Sequence, residues 1–345
     1  MSLSIGNIIV KTPVALGPMA GVTDRAFRGI CREMGCGLTY TEMVSAKALF
    51  FKNTNTKQLL DADPDEHPIA IQLFGSEPEV LASETKKLAE SGAFDIIDLN
   101  MGCPVPKIVN NHEGSALMKE PKLVREILTA MVQAAGDVPV TVKVRKGFAG
   151  DEAGHVKVGA DAVEIAKIAE DCGVAAIAVH GRLREQYYSG KADWDCIARV
   201  REAVSIPVIA NGDIFSAQDA LACREHTGCE AVMLARGVQG NPWLFREVVA
   251  ALNGEPIPPR PDINEICDMM LLHMERLAQY KDAYIAPMEM RKHVAWYTTG
   301  LSHATSLRRR VNATETKEDL AALIEAFRQE VKAELSDPGR LREKP

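Results

Sequence analysis

At 345 residues the chain exceeds the roughly 250–300 residues that one hydrophobic core usually organises, so we expect a large domain and a smaller one. Hydrophobic residues make up 46% and charged residues 25%, which excludes a disordered chain, and the net charge of −7 excludes a uniformly basic nucleic-acid binder. No apolar run approaches the roughly 20 residues that cross a bilayer, and the N-terminus has no secretory pattern, so we expect a cytoplasmic protein without a membrane anchor.

Several common metal and cofactor motifs are missing from the sequence. The eight cysteines form no C-x-x-C pair, which argues against zinc ribbons and iron–sulfur clusters, so we expect reduced thiols and no metal. Neither a G-x-G-x-x-G segment after a strand nor a G-x-x-x-x-G-K-[ST] segment is present, which argues against a Rossmann dinucleotide fold and a P-loop.

Short apolar, β-branched segments recur through the first 240 residues, and each is followed by a helix-like stretch. They span 14–20, 38–44, 68–75, 96–103, 139–145, 176–182, 207–214 and 231–237. Eight alternating βα pairs predict a closed (β/α)8 TIM barrel over residues 1–252. Thr23 is expected to cap the first helix, which Gly35 ends, and a helix over 161–171 leads into Gly173. Barrel enzymes place their chemistry on the loops after the strands, so polar residues there become candidates.

The fourth predicted strand ends in DLNMGCPVPK (98–107), which places Cys103 at the catalytic rim just after Asn100. A cysteine is more often a buried structural residue, but a position at the rim favours a chemical role. With a reference pKa of about 8.5 the thiol is mostly protonated at neutral pH, so it can act as a general acid as well as a nucleophile. No spacing typical of a Cys/His/Asn triad supports the nucleophile.

The fifth predicted strand carries Lys143 and Arg145 at alternate positions, so both side chains point to the same side. Charges in a barrel wall are unfavourable unless they meet an anion. One interpretation is a salt bridge to Asp98 or Glu42, and the other is an anionic cofactor.

Glycines lie at the ends of the seventh and eighth predicted strands, where barrels commonly hold a phosphate on main-chain amides: Gly212, Gly237 and Gly240. This pair of loops predicts a phosphate-bearing cofactor, and FMN suits a barrel mouth. The flavin ring would lie over strands one to five, against Pro18, Met19, Ala20, Gln72 and Lys143.

The proline-rich segment 253–263 predicts a linker, and residues 264–345 predict an all-helical domain. One helix should begin at Asn264, and Thr316 with Asp319 has the spacing of a capping box for another. The apolar face of that second helix comprises Leu320, Leu323, Ile324, Phe327, Val331 and Leu335. The stretch 291–310 contains five basic residues and no acidic one, so an acidic protein can still present a basic face.

These motifs together resemble the tRNA-dihydrouridine synthases, particularly the bacterial B type, over nearly the whole chain. The segments that carry the resemblance are PMAGVTDRAFR (18–28), YTEMVSAKAL (40–49), IQLFG (71–75), DLNMGCPVPKIV (98–109), VHGRLREQYYSGKADW (179–194), NGDI (211–214), ARGVQGNPWLF (235–245) and MRKHVAWY (290–297). The resemblance implies reduction of the C5=C6 bond of uridines in tRNA to dihydrouridine, with FMN as the cofactor and NADPH as the reductant.

The resemblance also implies roles for individual residues. Cys103 would protonate C5 while the flavin delivers hydride to C6, and Asn100, Lys143, Arg145 and His180 would surround the base and flavin. The isoalloxazine ring would contact Pro18, Met19, Ala20 and Gln72, and the ribityl phosphate would contact Asn211, Gly212, Asp213, Ala235 and Arg236.

A target base has to leave its stack to reach a barrel mouth, so we expect a surface that binds the tRNA backbone. The cations expected to form it are Arg182, Arg184, Lys191, Arg291, Lys292, Arg308, Arg309 and Arg310. Trp296 and Tyr297 could stack on bases, although each by itself is better explained as a packing residue. No obligate protein partner is evident.

Two other functions compete with this one. A small-molecule flavin barrel enzyme of the dihydroorotate dehydrogenase type would also act next to a pyrimidine ring, but it leaves the basic helical domain unexplained. A non-catalytic RNA-binding protein built on the same barrel is disfavoured by Cys103, Lys143 and both phosphate loops.

Overall fold

The computed structural model describes residues 2–336, and the chain forms two compact units. One unit comprises the chain up to Gly237 together with Leu244–Ile257, and the other comprises Val238–Trp243 together with the chain from Pro258 onward. The predicted barrel domain of residues 1–252 therefore includes one segment, 238–243, that belongs to the second unit. The end of the predicted helical domain, 337–345, lies outside the described residues.

The strands of the first unit follow the predicted order along the chain. They are β1 (Leu3–Ile5), β2 (Ile8–Val10), β3 (Val14–Leu16), β4 (Thr39–Tyr40), β5 (Val44–Ser45), β6 (Ile69–Phe74), β7 (Ile96–Met101), β8 (Val140–Gly147), β9 (Ala149–Gly150), β10 (Val156–Val158), β11 (Ala176–Leu183), β12 (Val208–Asn211) and β13 (Ala231–Leu234). The main sheet is parallel, in the order β3–β13–β12–β11–β8–β7–β6–β4, and β5 also pairs with β6. A parallel bridge between Ala15 and Leu38 connects the two ends of this order. The predicted (β/α)8 barrel is confirmed.

Two short antiparallel hairpins, β1–β2 and β9–β10, were not predicted. The first hairpin contributes Leu3, Ile5 and Val10 to a buried cluster that includes Ile96 and Ala231, the first residues of β7 and β13. Hydrophobic side chains from the hairpin thus pack at the amino ends of the barrel strands, and the polar residues at the carboxyl ends remain available for a site.

Helices α1–α9 belong to the first unit and α10–α13 to the second. They are α1 (Arg25–Glu33), α2 (Ala46–Phe50), α3 (Pro78–Ser91), α4 (Pro106–Val109), α5 (Pro121–Ala135), α6 (Ala162–Asp171), α7 (Trp194–Ala203), α8 (Ala217–Thr227), α9 (Leu244–Leu252), α10 (Ile263–Ala278), α11 (Ile285–Tyr297), α12 (Ala304–Val311) and α13 (Lys317–Leu335). Short 3-10 helices occur at Thr54–Leu60, Gly114–Lys119 and Arg236–Val238. Among the described residues, no helix combines the length and the apolar character needed to cross a membrane.

The residue that caps the first helix differs from the predicted one. The helix predicted over 161–171 is α6, and Asp161 is its cap, with a carboxylate that accepts from the main-chain N–H of Glu164 at 2.9 Å. Asp24, not Thr23, caps α1 by accepting from the N–H of Phe27 at 3.0 Å. The Thr23 hydroxyl oxygen instead accepts from the N–H of Met19, because it lies one residue too early to reach the first turn of α1.

The second unit is helical, as expected, and α10 begins at Ile263, with Asp262 as its cap. Thr316 caps α13 by accepting from the N–H of Asp319 at 3.1 Å. The predicted apolar face of α13 is correct except at its end, since Leu335 is 66% exposed. Gly240 has a φ of +67°, and a side chain there would overlap the main chain of Trp296, so this position requires glycine.

Phe327 and Leu335 on α13 give a matched pair of stability variants. Phe327→Ala should lower the free energy of unfolding by about 3–5 kcal/mol, because removing a buried ring leaves a cavity. Leu335→Ala should change it by less than about 0.5 kcal/mol, because the side chain is exposed. Urea unfolding followed by circular dichroism measures both, and equal losses would contradict the packing described here.

Candidate active site

The pairing register of the barrel strands brings the predicted site residues side by side. Asn100 of β7 lies opposite Lys143 of β8, and Arg145 of β8 lies opposite His180 of β11. His180 in turn lies opposite Asn211, the last residue of β12. Because carboxyl ends of parallel strands meet at one rim of a barrel, these polar side chains share the mouth.

Cys103 follows β7 and its main chain is held on both sides. Its N–H donates to Oδ1 of Asn100 at 2.9 Å, and its carbonyl accepts from the N–H of Ser115 at 3.1 Å and from the Ser115 hydroxyl at 2.8 Å. The residue is partly exposed. A fixed main chain and an accessible thiol suit a group that reacts with a bound molecule.

Burial raises the pKa of the Cys103 thiol, and the Val105 N–H, Arg145 and Lys143 oppose this shift. The thiol is therefore protonated at neutral pH. This state suits a proton donor and disfavours a thiolate nucleophile.

The two cations of β8 do not form the salt bridges considered above. Among the described residues, neither Lys143 nor Arg145 has a carboxylate oxygen within 4.0 Å; the Lys143 ammonium donates to Oδ1 of Asn211 at 3.2 Å. The guanidinium of Arg145 donates to main-chain carbonyls, those of Gly102, Leu183 and Tyr187, at 2.8–3.1 Å. The interpretation as an internal ion pair is wrong, and a site for an anion is the alternative that remains.

Burial, followed by the repulsion of Arg145, lowers the pKa of Lys143 to about 8. Burial also lowers the pKa of Arg145 to about 10, so both groups are still charged at neutral pH. His180 is buried beside them, and burial together with Lys143 holds its pKa well below its usual range. His180 is thus a neutral imidazole that can hydrogen-bond without adding charge.

The ends of β12 and β13 offer a second, separate binding surface. Gly212 has a φ of +130°, and a side chain there would come within 2.7 Å of the Ala192 Cβ and 3.1 Å of the His180 ring, so the main chain can approach a ligand closely. The Asp213 carboxylate accepts from Arg182 at 2.7 Å and from Arg236 at 3.1 Å. Since that carboxylate is occupied by two arginines, only the main chain of Asp213 can face a phosphate.

Arg236 keeps part of its guanidinium accessible, with 31% of the side chain exposed. It lies over the rings of Tyr188 and Phe215, with 4.5 Å and 5.4 Å from its Cζ to the ring centroids. A cation oriented by an aspartate and two rings suits a phosphate group.

Pro18, Met19 and Ala20 follow β3 at the same rim, with Ala20 exposed and the other two partly buried. Gln72 lies at 0% exposure in β6. Together with the cations of β8 and the Gly212 and Arg236 loops, these residues fit a cofactor that has a planar polar ring at one end and a phosphate at the other.

Comparison with known proteins places the chain in a family. The model of the dihydrouridine synthase family (Dus) matches residues 14–333. The chain belongs to the dihydrouridine synthase family. The tRNA-dihydrouridine synthase B of Vibrio vulnificus (strain CMCP6) is 41% identical over 314 residues, covering 91% of this chain and 94% of the relative. That of Proteus vulgaris is 42% identical over 327 residues, covering 94% and 98%.

A third relative, the probable tRNA-dihydrouridine synthase of Mycobacterium tuberculosis (strain ATCC 25618 / H37Rv), is 40% identical over 334 residues, covering 94% of this chain and 84% of its own. The resemblance inferred from the motifs is thus confirmed, and this dihydrouridine synthase family member is an enzyme. Membership of this family disfavours both the dihydroorotate dehydrogenase type and the non-catalytic RNA binder.

The surface cations predicted for RNA binding differ in exposure. Arg182 is 1% exposed, and it donates to the carbonyls of Ser189 and Gly190 and to Asp213. Its predicted role at an RNA surface is wrong, because the side chain is used inside the synthase fold to hold a loop and orient Asp213. Lys191 is exposed and Arg184 partly so.

In the second unit, several predicted cations already have partners. Arg291 donates to the Thr314 carbonyl, Arg308 donates to the Ala295 carbonyl at 3.0 Å, and Arg310 pairs with Glu330 at 3.1 Å. Lys292 is partly buried and Arg309 is exposed. Tyr297 is 3% exposed and packs edge-on against Trp243 with 6.0 Å between ring centroids, and Trp296 packs edge-on against His293, which supports the packing interpretation of both aromatics.

Two contributors to the site were not predicted in their observed roles. The contact of Tyr188 with Arg236 was not predicted: the tyrosine ring lies against the guanidinium, with 4.5 Å from Cζ to the ring centroid. Asp98 was considered only as a salt-bridge partner, yet it accepts from the Gln72 side-chain amide at 2.7 Å. Its position two residues before Asn100, on the same face of β7, is the signal that could have identified it.

Lys143→Met should stabilise protein prepared without bound ligand by about 1–2 kcal/mol at pH 7, because it removes a partly buried charge that lacks a carboxylate partner. The pKa of this lysine is about 8 in the fold against an ordinary 10.5, so its destabilising effect is complete below pH 8 and disappears towards pH 10.5. The stability difference between the variant and the parent should therefore shrink as the pH rises through this window.

Calorimetry at pH 7 and pH 10 measures the Lys143 effect. Lys86→Met, at a side chain that is 66% exposed, is the control and should change stability by less than about 0.5 kcal/mol. A lower melting temperature for Lys143→Met at pH 7 would show that the charge is compensated within the protein.

Proposed function

We propose that this protein reduces the C5=C6 bond of uridines in tRNA to 5,6-dihydrouridine, with bound FMN and with NADPH as the reductant. The names of the relatives, tRNA-dihydrouridine synthases, support the substrate. The two-part site at the barrel mouth supports the flavin. NADPH rests on the family resemblance alone, and no obligate protein partner is part of the proposal.

The observation that carries the proposal is the position of the partly exposed Cys103 thiol just after β7, beside two cations that have no carboxylate partner within 4.0 Å in the described part of the chain. Burial raises the pKa of this thiol, which favours its protonated form. A ring reduction of this kind adds a hydride to one carbon and a proton to its neighbour. Cys103 supplies the proton to C5, and its fixed main chain determines where the thiol points.

When bound, FMN supplies the hydride for C6 of the uracil ring. Lys143 stabilises the negative charge of the reduced cofactor, since a fixed cation in a partly buried site interacts strongly with an anion. Arg145 holds the loops after β7 and β11 through their carbonyls and faces the base. Neutral His180 and Asn100 provide hydrogen bonds without further charge.

The remaining residues of the site would hold the two ends of FMN. Pro18, Met19, Ala20 and Gln72 lie against the ring in this proposal. The phosphate is held by Asn211, by the main chain of Gly212 and of Asp213, and by Ala235 and Arg236.

The target nucleotide is flipped out of the tRNA to enter the mouth, and the tRNA backbone is held by cations outside the site. The residues proposed for this contact are Arg184 and Lys191 in the first unit and Lys292, Arg308, Arg309 and Arg310 in the second. Arg291 is used by the Thr314 carbonyl and contributes less.

Cys103→Ala should lower the rate of dihydrouridine formation by about 10²–10⁴-fold, the usual range for losing a positioned proton donor. Flavin content, reduction by NADPH and tRNA binding should be unchanged, because the thiol is not needed for these steps. Single-turnover assays with prereduced enzyme and tRNA measure the loss, and flavin absorbance at about 450 nm measures the cofactor.

Cys172→Ala is the matched control, because Cys172 is also partly exposed but lies at the end of α6. It should turn over normally. A folded Cys103→Ala variant with near-normal turnover would overturn the proton-donor assignment, and a colourless protein that does not bind added FMN would overturn the flavin.

Replacing both Arg309 and Arg310 with alanine should reduce the slope of log Kd for tRNA against log salt by about 1–2 units, if each cation neutralises a phosphate. Arg310 has to leave Glu330 to do so, and that pair is exposed and weak. Filter binding over a salt series measures the slope, with Arg199→Ala on α7 as the control. An unchanged slope would assign the RNA surface to other residues.

A further inference from the structure

One buried carboxylate beside the site has no part in the chemistry proposed above. Asp98 lies at 0% exposure in β7, two residues before Asn100 and on the same face of the strand. An acidic group is unfavourable at such a position unless its oxygens accept hydrogen bonds, and both do.

A continuous chain of hydrogen bonds runs from Asp98 to Cys103. Oδ2 of Asp98 accepts from Nε2 of Gln72 at 2.7 Å, and Oε1 of Gln72 accepts from Nδ2 of Asn100 at 2.7 Å. Oδ1 of Asn100 then accepts from the N–H of Gly102 at 3.1 Å and of Cys103 at 2.9 Å. On the other side, Oδ1 of Asp98 accepts from the Thr141 hydroxyl at 2.7 Å.

The direction of this chain follows from what each group can do. An ionised carboxylate can only accept, so the amide of Gln72 has to turn its NH2 towards Asp98 and its oxygen towards Asn100. Asn100 then has to present its NH2 to Gln72 and its oxygen to the N–H of Cys103. If the two amides were reversed, the NH2 of Asn100 would face the N–H of Cys103, and two donors would oppose each other.

We propose that Asp98 is a positioning residue, which fixes the orientation of the Gln72 and Asn100 amides and through them the main chain that carries the thiol of Cys103. The inference rests on the proposed function of Cys103 as the proton donor. Both lone pairs of the Asn100 oxygen are used by the N–H groups of Gly102 and Cys103, so this amide fixes the loop at two consecutive residues.

The charge state of Asp98 agrees with this role. Burial raises the pKa of Asp98 to about 6, while the bonds from Gln72 and Thr141 and the nearby Lys143 oppose the shift. The group is therefore mostly ionised at neutral pH and acts as an acceptor. Lys143, which is proposed to bind an anionic cofactor, thus also helps to keep the Asp98 carboxylate charged.

The decisive variant is Asp98→Asn, which keeps the shape of the side chain but can present either an oxygen or an NH2 to Gln72. We expect dihydrouridine formation at saturating FMN to fall by about 10-fold, since the proton donor is less well positioned. In the Cys103→Ala background the same change should have no further effect, within about twofold, because two residues that act through one step are not additive.

Two further measurements separate positioning from a structural role. Thr141→Val removes the other hydrogen bond of the same carboxylate, so it should lower thermal stability to a similar degree but keep activity within about twofold. Alkylation of Cys103 by iodoacetamide, measured by mass spectrometry relative to Cys172 in the same sample, should be about threefold faster in Asp98→Asn because the loop is less fixed.

The alkylation measurement needs no turnover, so it tests the positioning of Cys103 even if the parent protein makes no dihydrouridine. A parent protein that makes no dihydrouridine would contradict the proposed function but not the positioning role of Asp98. Should Asp98→Asn fail to fold by circular dichroism, Gln72→Met breaks the same chain and has to show the same faster alkylation. The inference is overturned by unchanged alkylation in the folded variant, by an equal loss of activity in the Cys103→Ala background, or by a loss in Thr141→Val as large as in Asp98→Asn.

Discussion

The rest of the site depends on a lysine ammonium held in the barrel mouth, with no carboxylate in the described residues within ion-pair distance. Lys143 has an amide oxygen for a partner, and its neighbour Arg145 has main-chain carbonyls. Such an arrangement is unfavourable for folding and favourable for binding an anion, which is the usual compromise at functional sites. Neutral His180 beside them adds polarity without adding repulsion.

Much of this architecture could be predicted from the sequence. The strands of a parallel barrel are apolar segments, and the residues of its site are the polar ones that follow those segments. The end of β7 at Asn100 and Cys103 and the glycine after β12 were identified in this way. Hydrogen-bond partners were harder to predict, since the register between strands decides whether Lys143 meets Asp98 or Asn211. Arg182 was misassigned because a charged residue near the end of a strand, here β11, gives no sign in the sequence that its guanidinium is buried.

The ends of helices and strands, and the shortest strands, also could not be predicted from the sequence. Residues 238–243 come shortly after the last barrel strand in the sequence, yet they belong to the second unit, where Gly240 allows close approach to the main chain of Trp296. The hairpin of β1 and β2 has three residues in each strand, too few to show a periodicity. In α13, periodicity placed Leu335 on the buried face, but the helix ends there and nothing covers that position among the described residues.

The hairpin at the start of the chain has a consequence for the order in which the protein is made. Leu3, Ile5 and Val10 share one buried cluster with Ala231 and Met233, so residues more than 220 positions apart have to meet before that cluster is complete. The hairpin therefore cannot complete its packing until the last barrel strand, β13, has been synthesised. Contacts of such high sequence separation form slowly, and until they form the apolar side chains of the hairpin remain exposed.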